Sequence, residues 1–97
     1  MPYVRKALRV NVDALIDELL YILGQHNLMA SCGILNYCIS RLVGGLFLSD
    51  PSYGRIALFT GVLENVKQEF YRRAAAPYED GAIERNGDIP EYGAELT

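Results

Sequence analysis

The chain has 97 residues, 51% hydrophobic and 22% charged, with a formal charge of −3. The length fits one domain, and the hydrophobic share excludes a mostly disordered chain. The acidic balance argues against a general electrostatic grip on nucleic acid, which needs a cationic surplus.

The opening stretch MPYVRKALRV lacks the apolar segment of a signal peptide and reads as an N-terminal arm over residues 1–10. The first amphipathic stretch is NVDALIDELLYILG. Val12, Leu15, Ile16, Leu19, Leu20 and Leu23 recur at helical spacing, with Asn11 as the N-cap and Gly24 as the stop. GQHNLMA then reads as a loop.

The second stretch, SCGILNYCISRLVGGLFLSD, is capped in this reading by Ser31. Leu35, Cys38, Ile39, Leu42, Val43 and Leu46 form its stripe. The other side carries Ile34, Tyr37, Phe47 and Leu48, with Arg41 as the one ionic group. A helix apolar on most sides is usually buried on most sides. Three helices do not easily enclose one of their own number, so a homo-oligomer through helix 31–48 is expected. Gly44 and Gly45 either permit close backbone contact or mark the helix end. The apolar region from Cys32 to Leu48 is interrupted by Asn36, Ser40 and Arg41, so no membrane span is expected. Cys32 and Cys38, six residues apart on one helix, are too far apart to bridge. They read as reduced core thiols in a cytoplasmic protein.

The turn SDPSYG offers Ser52 as the next cap. In YGRIALFTGVLENVKQEFYRRAAA the stripe is Ile56, Phe59, Val62, Leu63, Val66 and Phe70. Glu69 precedes Arg73 by four residues, the favoured order for an ion pair on a helix. Pro77 interrupts or kinks this helix. A short helical segment follows and stops at Asn86–Gly87. Residues 88–97 read as a loosely ordered acidic tail, or an extended strand on a neighbour. The predicted fold is all-α: three main amphipathic helices and a short fourth segment after Pro77, in one small helical bundle over residues 1–97.

Chemistry is sparse. Paired acids one turn apart on facing helices could hold Mg²⁺, and Asp13 with Asp17 and Glu64 with Glu69 are the candidates. However, Asp13 and Asp17 point away from their helix's stripe, and a solvated face explains them better. His26 is the one imidazole, and no neighbouring acid orients it. No phosphate-binding glycine loop is present. Arg72 and Arg73 with Tyr71 and Tyr78 could contact phosphate or stack on bases. As the end of a long helix they instead satisfy its dipole and pair with Glu79 and Asp80. No cofactor, no metal and no nucleic-acid partner is expected.

MPYV, GILNYCISRL, GVLENVKQEFYRRAAAPYED and NGDI together resemble a family of small uncharacterised proteins of bacteria, archaea and tailed phages. Its pattern reads approximately G-E-L-N-Y-x-I-x-R-L, then G-V-L-E-x-x-K-x-E-F-Y-R-R-x-x-x-P-Y-E-D, then N-G-D-V. The resemblance covers most of the chain and lends no catalytic residues. It implies that Asn36, Tyr37, Arg41, Glu64, Lys67, Glu69, Tyr71, Arg72, Arg73, Pro77, Tyr78, Glu79, Asp80, Asn86, Gly87 and Asp88 occupy motif positions. Ile34 stands where the pattern has an acid, which lowers an enzymatic reading here. Two uses of these polar residues follow. They form a polar network between helices or subunits, with Asn36 and Arg41 facing Glu64, Lys67 and Glu69. Alternatively, Arg41, Lys67 and Arg72 bind a small anion or nucleotide, with Tyr71 or Tyr78 stacking. Near-balanced acids and bases favour the network, and with it an interaction or accessory module without catalysis of its own.

Overall fold

In the computed structural model, which describes residues 4–93, every regular element is helical and the chain is all-α. The elements are α1 (Lys6–Gly24), α2 (Leu28–Ser49), α3 (Tyr53–Phe70), a π-helical turn (Tyr71–Ala75), α4 (Ala76–Asn86) and the four-residue α5 (Pro90–Gly93). The chain divides into two compact units, Met1–Asp50 and Pro51–Thr97.

In the first unit, α1 begins at Lys6, five residues before Asn11. Its N-cap is Arg5, with no side-chain cap bond and no acid in the first turn. Cations at this end oppose the helix dipole. The helix extends upstream because Lys6, Ala7, Leu8 and Arg9 are good helix formers. Leu8 also carries the apolar spacing back one turn from Val12. Residues 6–10, expected to lie in an arm, are therefore helical; residues 1–3 lie outside the described part.

α2 also starts early. Its cap is Asn27, whose Oδ1 accepts the Ala30 N–H at 2.9 Å. Leu28, Met29 and Ala30 are therefore helical rather than loop. Ser31 is not the cap: its hydroxyl donates to the Leu23 carbonyl at 2.6 Å and so ties the end of α1 to the first turn of α2. Ser31→Ala is expected to cost about 1 kcal/mol, the usual net worth of one such bond. A urea midpoint equal to that of the parent chain would contradict this. α2 runs unbroken through Gly44 and Gly45 to Ser49. Asn36, Ser40 and Arg41 do not prevent it from being long and apolar enough, by length and composition alone, to cross a bilayer. Both cysteines are free thiols. Cys38 is half-buried, but Cys32 is exposed and so is not a core thiol within this unit.

In the second unit, Ser52 caps α3 as expected, its Oγ accepting the Arg55 N–H at 3.2 Å. Pro77 does not break the chain of helices. α3 passes into α4 through the π turn, where the Ala76 N–H donates to the Tyr71 carbonyl five residues back. A proline ring in a regular α-helix would strike the carbonyl four residues earlier, here that of Arg73. The widened turn lies just before Pro77 and relieves that clash, which makes it the source of any bend here. α4 stops where expected: Gly87 takes φ +80° and ψ 155°, and its N–H closes on the Ile83 carbonyl at 2.7 Å. The tail is not an extended strand over Pro90–Gly93, which is one helical turn; residues 94–97 lie outside the described part.

Neither unit buries a described residue. The apolar stripes expected to form a bundle core stay open within each unit: Leu15 is 61% exposed, Leu42 64% and Val66 60%. In α2 the half-buried positions include Ser31, Ile34 and Cys38. Cys38, with the half-buried Val43, belongs to the predicted stripe, whereas Ser31 and Ile34 lie outside it, Ser31 bonding α1.

Candidate polar site

The charged residues of EFYRRAAAPYED are organised by helix spacing and by the π turn. Glu69, one turn before the arginines and mostly shielded from solvent, receives both of them. Arg72 Nη2 donates to Glu69 Oε2 at 2.6 Å, and Arg73 Nε pairs with Oε1 of the same carboxylate. The Glu69–Arg73 pair is the one that the four-residue spacing predicts. Both arginine side chains are more than 60% exposed. Exposed pairs of this kind contribute little to stability.

Glu79 has a different partner from the arginines the sequence offered it. Its Oε2 accepts the Tyr71 hydroxyl at 3.2 Å. Two residues eight apart lie two turns apart in a regular helix, about 12 Å along the axis. Tyr71 bridges that distance with its long side chain, across the π turn that it begins. Downstream, the Arg85 guanidinium lies 6.0 Å from the centre of the Tyr78 ring.

The hydrogen bond to Glu79 and the charge of that carboxylate hold the Tyr71 phenol above its ordinary pKa, with smaller contributions from partial desolvation and from the charge of Asp80. A group whose pKa is raised on folding holds its proton more tightly in the folded chain. Its stabilisation is therefore fully present below the ordinary tyrosine pKa and is lost as pH rises through the raised value. Glu79→Gln is expected to lower the Tyr71 pKa. Tyrosinate absorbance, taken as the difference from Tyr71→Phe in each background, reads it. Identical difference titrations with and without Glu79 would show that this bond is not formed.

Several of the remaining motif residues have local partners. Glu64 Oε1 accepts from Gln68 Nε2 at 2.8 Å, a partner the sequence pattern did not single out. Lys67 occupies the last turn of α3, where a cation suits the helix dipole. In the first unit, Asn36 Oδ1 accepts from Ser40 Oγ at 3.3 Å. Arg41 lies 5.8 Å from the centre of the Tyr37 ring and donates to its hydroxyl at 3.5 Å. Each of these contacts joins two residues of the same helix, α2 or α3. Among the described residues, no group of three or more His, Cys, Asp or Glu side chains is placed to hold a metal ion.

The family model described as "Domain of unknown function (DUF6899)" matches residues 1–89. No curated protein and no solved structure matches the chain.

Proposed function

Given that the chain belongs to the DUF6899 family, we propose that it is a self-associating helical module, working through α2 as an interaction or accessory protein without catalysis of its own. One observation carries this reading: neither unit buries a described residue, while large apolar side chains stand open along α2, Leu28 at 77%, Leu42 at 64% and Leu46 at 57%. In proteins most helical stability comes from packing an apolar face rather than from helix propensity. A second copy supplies that packing.

Burial in a bilayer is the weaker use of the same helix, because Arg41 near its middle would cost about 2.5–3.5 kcal/mol there. The proposed setting is the cytoplasm, in keeping with two free thiols. A cleft for a small anion or nucleotide is disfavoured because Arg72 and Arg73 both already pair with Glu69, which offsets part of their charge.

Self-association makes thermal stability depend on protein concentration. The melting temperature is therefore expected to rise across a roughly hundredfold increase in concentration, by several degrees for a chain this size. A melting temperature that stays fixed over that range would count against the proposal.

A further inference from the structure

The exposed residues of α2 follow a pattern more specific than a general apolar face. Leu28, Cys32, Leu35, Ile39, Leu42 and Leu46 are spaced alternately by four and three residues, and every one of them is exposed. That is the repeat of a coiled-coil seam, with Leu28, Leu35 and Leu42 at the d positions and Cys32, Ile39 and Leu46 at the a positions. Arg41 is the only charged residue of the helix. At about 100° per residue it falls on the far side from the seam. The bond from Ser31 to α1 lies beside the seam and leaves it open.

We infer that α2 pairs with α2 of a second copy of this chain, parallel and in register, through this seam. The inference rests on the self-association reading and gives it an interface. Three observations select the occupant. The seam is self-complementary, because in register each layer meets its own twin. No like charges face each other across it, since neither the seam nor its flanks carry any. Leucine at all three d positions, with isoleucine at the central a position, Ile39, favours parallel two-stranded pairing.

In this arrangement Cys32 faces Cys32 of the other copy, and Cys38 lies off the seam. An antiparallel pair would instead set Cys32 against residues near the other end of the helix. The test uses two full-length chains, Cys38→Ser, which keeps Cys32, and Cys32→Ser, which keeps Cys38. Each is weighed by light scattering and then treated with diamide, which takes up two hydrogens as two thiols become one disulfide. Non-reducing gels read the product. The expected result is a covalent dimer through Cys32, little through Cys38, and loss of the Cys32 product when Leu42→Glu is added. An oligomer that cross-links through Cys38, through neither, or through Cys32 even with Leu42→Glu, overturns the seam while leaving self-association standing. A monomer in both chains overturns the seam and the self-association reading together.

Discussion

Leu42→Glu is expected to turn the associated protein into monomer at concentrations where the parent chain is fully associated. Within one copy Leu42 is 64% exposed, and glutamate is nearly as good a helix former as leucine. One copy alone therefore predicts a change within about 0.5 kcal/mol, as for an ordinary surface substitution. In the paired helix the outcome differs. Each Leu42 is buried against its twin, and burying a leucine is worth about 1.5–3 kcal/mol. The variant loses that twice and sets two carboxylates against each other in an apolar layer. A loss of about 4 kcal/mol or more per dimer weakens association roughly a thousandfold. Leu48→Glu is the matched control: Leu48 is 72% exposed but lies on the other side of α2, so its effect on the dissociation constant is expected to stay within about tenfold. Sedimentation equilibrium reads both. Equal effects from the two substitutions would contradict the seam.

The second large effect is expected at Gly87. Its φ of +80° with ψ of 155° lies at the edge of a region that essentially only glycine enters. Gly87→Ala should cost about 1–3 kcal/mol, limited by how readily Gly87–Gly93 rearranges. Gly81→Ala should act in the opposite direction. It lies inside α4, where alanine is favoured over glycine by up to about 1 kcal/mol. The added carbon would meet only the end of the flexible Arg85 side chain, at 3.3 Å. Urea unfolding of the two variants therefore should move the midpoint in opposite senses. A stabilising or neutral Gly87→Ala would mean that α4 does not end in this conformation.

The legible parts of the fold were those written in local chemistry. Ser52 as a cap, Asn86–Gly87 as a stop and Glu69 before Arg73 each depend on residues within one turn of each other. The starts of α1 and α2 were misread for the same reason. Asn11 and Ser31 have capping chemistry, but good helix formers precede Asn11 and a better-placed Asn27 precedes Ser31. The Tyr71–Glu79 bond was out of reach, because the π turn shifts helical register in a way that regular spacing does not anticipate. The α2 seam was present in the spacing but merged into a broader apolar stripe. The exposure of Leu28, Cys32, Leu35, Ile39, Leu42 and Leu46, beside the half-burial of Cys38 and Val43, separates it from the rest of that stripe.

Self-association is the claim on which the rest depends, and the mass of the unmodified chain in solution tests it most directly. Light scattering behind size exclusion, at two concentrations, is expected to give a dimer or a larger assembly of the 10.8 kDa chain. A clean monomer at both concentrations would contradict it.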